Sequence, residues 1–408
     1  MLIDLFPKSH PRYLASPVST WLVDFSDWLE LACYAHDPAH DHVCRLRQIL
    51  EARGSVSSDT MFSAPELKTM FISTRQQPEF RGTQRAFERF LADRGRLVAA
   101  PDCRRFSQLL DAYQRHLTEI RGLVPATIGQ HLSTVDAFLT QAVPDGMSLS
   151  ILSVQAVEQF VITAGQGLKR QSLQHIVARL RAFLRFCHDR GDLCVRLDCI
   201  DTPRVYRDEL PPRALAWDIV QALLCSIDHD SRCGCRDHAI LYLMAHYGLR
   251  PSEIVGLTLA SVDWANRSLR VEQSKTRSLL VLPLPEQACG ILDRYISSAR
   301  PDSTYPQLFL RARAPSGPLK HTAVCDIYAK HAKLSKLPLQ GSSSYCLRHT
   351  FAMRLLERGV GVKVIGDLLG HHTLESTCVY LRLQTEALRE VGLPVPSRAA
   401  CATAGRTS

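Results

Sequence analysis

Apolar side chains recurring at three- and four-residue intervals dominate this chain, and they predict helices along most of it. The first hundred residues carry two such stretches, 21–31 and 87–97, separated by polar turns. Between 104 and 190 the pattern predicts a small all-helical unit. Phe106, Leu109, Leu110 and Tyr113 begin one helix, TIGQHLSTVDAFL (127–139) forms a second, and 153–163 and 173–188 complete four. Pro203, Pro211 and Pro212, among mixed charges, mark a linker. Beyond it, 216–226 and 237–247 are again helical, 268–271 and 279–284 read as two short strands around the turn 273–277, and helices return at 324–332, 348–358, 362–369 and 374–383. Gly359 suits the position just past a helix end. The expected fold is mainly α with a small antiparallel β-sheet (α+β).

A length of 408 residues predicts two or three domains at about 150 residues each. The composition, 46% hydrophobic and 22% charged, is that of a globular protein with real cores. No stretch approaches the roughly 18 consecutive apolar residues of a membrane span. MLIDLFPKSHPRYL shows no basic flank leading into an apolar run, so no secretory signal and no membrane association are expected, and a cytoplasmic location is. The 14 cysteines are scattered and read as reduced thiols. Cys233 with Cys235, and the group Cys33, His36, His40, His42 and Cys44, lack the second well-spaced ligand pair of a structural zinc site, so no metal is expected.

The net charge of +9 is uneven. Residues 1–100 are neutral, 101–210 carry +1, and 211–391 carry +6. A basic C-terminal half points toward a polyanionic partner. Locally, 169–190 holds six basic residues against Asp189 alone. There Ile176, Leu180, Phe183, Leu184 and Cys187 form an apolar stripe, and Lys169, Arg170, Arg179, Arg181 and Arg185 lie largely off it. Such a face is suited to phosphates, although a merely solvated helix face has the same look.

Four boxes in the second half carry candidate chemistry. In GLRPSEIVGL (248–257), Pro251 and Glu253 fit a first helical turn, which sets Arg250 at a helix N-terminus as a phosphate clamp. An isolated arginine there is more readily structural, paired with a carboxylate. Lys275 sits on the predicted hairpin turn in VEQSKTRSLLVLPL, where a flexible lysine can deliver a proton. SYCLRHTFAMRLLERG (344–359) opens a helix with Arg348 and His349. LLGHHTLESTCVYLRL (368–383) holds His371 before a turn, Thr373 as a helix cap and Tyr380 two turns into the next helix.

Together and in this order, the boxes resemble the tyrosine recombinase, or phage-integrase-type, family. That family shows an arginine in a GLRxSEL-like box, a hairpin lysine, HxLRHTFA and LGHxxxxxTxxY. Arg250, Lys275, Arg348, His371 and Tyr380 stand at matching positions, and the resemblance covers roughly 105–391. One position departs: Tyr345 replaces the histidine three residues before the second arginine. A phenol can donate to a phosphate oxygen but is a poor general base at neutral pH. His349, being adjacent to Arg348, is expected to point elsewhere on the helix.

The resemblance implies a site-specific recombinase serving integration, excision or transposition of a mobile element. Tyr380 would attack a phosphodiester and form a 3′-phosphotyrosine, Arg250 and Arg348 would clamp the phosphorane, His371 would hydrogen-bond the phosphate, and Lys275 would protonate the leaving oxygen. No cofactor is implied. It also implies a helical core-binding domain at 101–200, a linker at 201–213, a catalytic domain at 214–391 and a tail at 392–408, after an N-terminal extension at 1–100 of unassigned role. The partner would be double-stranded DNA, held between core-binding and catalytic domains, with a homo-tetramer on two synapsed sites or co-assembly with a partner recombinase. The alternatives are a type IB-like topoisomerase, which shares the chemistry, and a DNA-binding relative without cleavage activity.

Overall fold

The computed structural model of the chain describes all residues except 55, 58, 73–76, 99–104, 203–212, 274–277, 372, 374 and 382–408. The protein is mainly helical with a small antiparallel sheet. It divides into two compact units. One comprises Met1–Thr60, Ser73–Phe90 and Leu210–Ser408, and the other Met61–Ile72 and Leu91–Glu209.

The first unit is built in its C-terminal part around the helix Arg232–Tyr247. Ser231 caps it, its hydroxyl accepting from the Gly234 N–H at 3.1 Å. Ala239 to Ala245 are all buried, as expected of a helix that is apolar on every side. The large apolar side chains among them each contribute about 1.5–3 kcal/mol by leaving water. The helix stops at Gly248, whose φ of +65° is left-handed and whose Cα faces the Phe351 ring, so a side chain fits neither the backbone nor the space. The helices Trp217–Cys225, Pro251–Gly256, Glu286–Arg294, His321–Leu334 and Tyr345–Glu357 pack around this one.

Two strands of the other unit, β1 (Phe62–Ser63) and β2 (Leu97–Val98), pair in parallel. The antiparallel sheet of the first unit has the order β3 (Val262–Asp263), β4 (Ser268–Gln273), β5 (Ser278–Pro283). In β4, Leu269 and Val271 point inward while Arg270 and Glu272 are exposed. The same two-residue period carries Gln273 inward, where it is 3% exposed. Its partner across the hairpin is Ser278. Lys275, which falls between them in the sequence, lies outside the described residues.

In the second unit, Ser107–Arg115, Pro125–Ala142, Val154–Gly165 and Arg170–Asp189 enclose a core that includes Tyr113, Phe138, Phe160, Leu180, Phe183 and Leu184. Near the N-terminus of the chain, Trp21, Phe25, Trp28, Phe87 and Phe90 form an aromatic cluster with edge-to-face pairs such as Phe25–Phe87, 5.8 Å between centroids.

Two elements differ from the periodicity. The helix expected at 87–97 is Pro78–Asp93; it is followed by Gly95 at φ +66°, after which Leu97 and Val98 enter β2. Among the described residues the last helix is a single turn, Glu375–Cys378, so Tyr380 follows it rather than lying within it. Among the described residues no helix is long and apolar enough to cross a membrane. Also among them, no three His, Cys, Asp or Glu side chains are placed to share a metal ion. Of the 33–44 group, His42 bonds to Thr83 at 2.9 Å and His36 to Asp37 at 3.2 Å, while Cys44 lies 3.1 Å from the Tyr13 hydroxyl.

Candidate active site

The turn Leu368–His371, which ends the helix Val362–Leu369, organises the site. Three successive carbonyls there each take a donor from a different element. Leu368 O accepts from the Gln273 amide at 3.4 Å, Leu369 O from Arg348 Nη2, and Gly370 O from Arg250 Nη2 at 3.1 Å. Gly370 has φ +59°, and a Cβ on it would overlap the Gln273 amide. The sheet and both arginines are thereby tied to the turn that carries His371.

Arg250 is the N-cap of the helix Pro251–Gly256. Its backbone N–H donates to Glu253 Oε2 at 2.8 Å and its Nη1 to Glu253 Oε1 at 2.6 Å, so the Glu253 carboxylate holds both the entry to the helix and the Arg250 guanidinium. Arg348, 5% exposed, donates from Nη1 to Gly248 O at 2.6 Å and lies 3.9 Å from Glu253. Burial lowers its pKa to about 10, with the nearby Arg250 adding to the effect and Glu253 opposing it, and it stays cationic at neutral pH. Two guanidinium groups thus share one buried carboxylate, which leaves a positive charge in excess.

Tyr380 is 2% exposed and packs with Ile365 and Leu369. Burial raises its pKa, against the pull of Arg348 and Arg250. Its hydroxyl lies 3.0 Å from His349 Nδ1. Burial and the adjacent Arg348 lower the His349 pKa, which favours the neutral imidazole, and with its proton on Nε2 that ring accepts the phenol O–H at Nδ1. His371 stacks nearly parallel to the Tyr380 ring at 6.5 Å and bonds through Nδ1 to Thr377 Oγ1 at 2.8 Å.

The structure therefore gathers Arg250, Arg348, His371 and Tyr380 around one turn. Tyr345 stands at the start of the same helix as Arg348, 48% exposed. His349 corrects the sequence reading: it does not point elsewhere but meets the Tyr380 hydroxyl. Its separation of four residues from Tyr345, one helical turn on the same face, was the signal available. Glu253 and Gln273 are further residues whose sequence positions did not reveal their contacts.

The basic face of Arg170–Asp189 is partly engaged within its own unit. Arg179 bonds to Gln130 and Thr134, Arg181 to the Ile200 carbonyl, and Arg185 to Asp198 at 3.2 Å. Lys169 and Arg170 are exposed at the helix start.

Residues 214–387 match the family described as "Phage integrase family", and residues 110–191 match "Phage integrase, N-terminal SAM-like domain". The putative integrase/recombinase y4rA of Sinorhizobium fredii is 33% identical over 72% of this chain and 72% of its own. The tyrosine recombinase XerC of Pelobacter propionicus is 28% identical over 69% of this chain and 92% of its own. Among solved structures, the site-specific recombinase XerH bound to palindromic difH substrate superposes with a TM-score of 0.55 at 14% identity, covering 70% of this chain and 83% of that one.

Proposed function

This chain belongs to the phage integrase family, the tyrosine recombinases, and we propose that it cuts and rejoins DNA at a defined site by attack of Tyr380 on a phosphodiester. The observation that carries this reading is the pairing of Arg250 and Arg348 with a single buried carboxylate, Glu253. A phosphodiester supplies the missing negative charge, and a phosphorane supplies more, so the transition state is held more strongly than the substrate. Planar guanidinium forks suit that geometry better than point charges.

Tyr380 forms a 3′-phosphotyrosine as the bond to the 5′ oxygen breaks, and Lys275 protonates that oxygen. His371 hydrogen-bonds the phosphate. Attack by a 5′ hydroxyl reverses the step and rejoins the strand. Lys169, Arg170, Arg179, Arg181 and Arg185 supply backbone contacts to the duplex from the 101–200 core-binding domain. Two synapsed sites are exchanged in a homo-tetramer, or together with a partner recombinase.

Trapping covalent protein–DNA complexes in cells that express the chain tests the reading, with Tyr380→Phe as control. Adducts at a discrete DNA site, lost in Tyr380→Phe, are expected. Adducts spread over many sequences contradict site-specific action and fit a relaxing topoisomerase. No adduct, with binding retained, fits a relative that has lost cleavage.

A further inference from the structure

Attack by a neutral phenol requires something to take its proton. At position 345, where the family's histidine usually stands, this chain has a phenol, and Tyr345 is 48% exposed at the mouth of its helix. One turn further along the same face is an imidazole whose Nδ1 is 3.0 Å from the Tyr380 oxygen. We propose that His349 is the general base for Tyr380, the duty having moved one helical turn along from position 345. The inference rests on the reading of Tyr380 as nucleophile.

The surroundings suit the task. The groups acting on this pair are Arg348 on the same helix, Arg250 at the start of the helix Pro251–Gly256, and Tyr380 itself, with the His371 ring stacked behind the phenol. Glu253 lies beyond them, beside the two arginines. Burial and Arg348 favour the neutral form of His349 in the free protein, and with its proton on Nε2 that form can take a proton at Nδ1. A phosphate seated on the arginines brings negative charge that favours the imidazolium formed next.

The step balances. As Tyr380 Oη bonds to phosphorus, its proton passes to His349 Nδ1, and the bond to O5′ breaks with a proton from Lys275. On rejoining, the 5′ hydroxyl attacks and gives its proton back to Lys275, while Tyr380 leaves and takes its proton back from the imidazolium. Because His349 touches the reacting oxygen, it is a catalytic residue and not only a support.

The test uses the full chain and the duplex recovered from its cellular adducts, with single-turnover adduct formation as readout. His349→Gln keeps a hydrogen-bond acceptor but cannot take a proton. It is expected to slow adduct formation by about 100-fold or more, with DNA binding unchanged. A 5′-bridging phosphorothiolate, whose thiolate leaves without a proton, is expected not to restore the rate. Tyr345→His in the His349→Gln background is expected to restore part of it. Wild-type speed in His349→Gln overturns the proposal, because the hydrogen bond alone would then suffice. Rescue by the phosphorothiolate overturns it as well, because His349 would then serve the leaving group. Should His349→Gln fold poorly, the wild-type pH profile decides: adduct formation should rise with pH through an imidazole ionisation and then level, and a rate that is flat from acid to neutral pH overturns the assignment. Failure of the underlying reading looks different: wild type forms no adduct, or Tyr380→Phe still does.

Discussion

The Gln273 side-chain amide occupies the space where a Cβ on Gly370 would stand, and it donates to the carbonyl of Leu368 two residues earlier. Ser278, across the hairpin, donates to the same side chain at 2.8 Å. The root of the Lys275 hairpin is therefore locked to the turn whose carbonyls hold Arg250 and Arg348.

Gly370→Ala should lose stability on two grounds, a left-handed φ of +59° and the overlap with Gln273. The expected cost is about 1–3 kcal/mol, measured by denaturant unfolding. Gln273→Ala in that background should recover part of it, since the overlap is removed while the backbone strain remains. Additive losses in the double variant would show that the two residues do not meet.

Glu253→Ala should leave two cations facing each other with no counter-charge. Breaking a buried pair in this way costs about 3–5 kcal/mol, and the unfolding midpoint should fall accordingly. A fall no larger than that of an exposed carboxylate would contradict the shared-carboxylate arrangement.

These contacts mark how far the sequence could be read. Arg250, Arg348, His371 and Tyr380 were legible from residue type, order and the nine-residue step between the last two. The inward turn of Gln273 was not, because its residue type reads as the start of a turn; only the strand register sends it inside. Glu253 looked like an ordinary first-turn carboxylate, and its relation to Arg348 is a tertiary fact. His349 was set aside by its adjacency to Arg348, although helical geometry puts it one turn from Tyr345. Among the elements, β1 and β2 have two residues each, too few to show a period, and they pair across 33 intervening residues.

Asp198 gives the second unit an acid-sensitive support. Its side chain is bonded by Arg196 and Arg185, and mainly through Arg196 its pKa is held at about 2. A depressed carboxylate adds stability that is complete above its unfolded value, near 4, and is lost as the pH falls toward 2. Asp198→Asn should remove that part of the acid transition in pH-dependent unfolding. An unchanged acid transition would show that the pair adds nothing.

Lys169 and Arg170 are exposed at the start of their helix. If they contact phosphates, alanine at either should lower the slope of log affinity against log salt by about 1, with little effect on site preference. A slope equal to that of wild type would remove them from the DNA-binding face.

The proposed reaction stands or falls on the bonding of Tyr380 to DNA. Its most direct measurement is peptide mapping, by tandem mass spectrometry, of nuclease-trimmed protein–DNA adducts taken from the wild-type chain. A nucleotide 3′-phosphate on Tyr380 and no adduct in Tyr380→Phe are expected. A nucleotide on any other residue, or an adduct that persists in Tyr380→Phe, would contradict it.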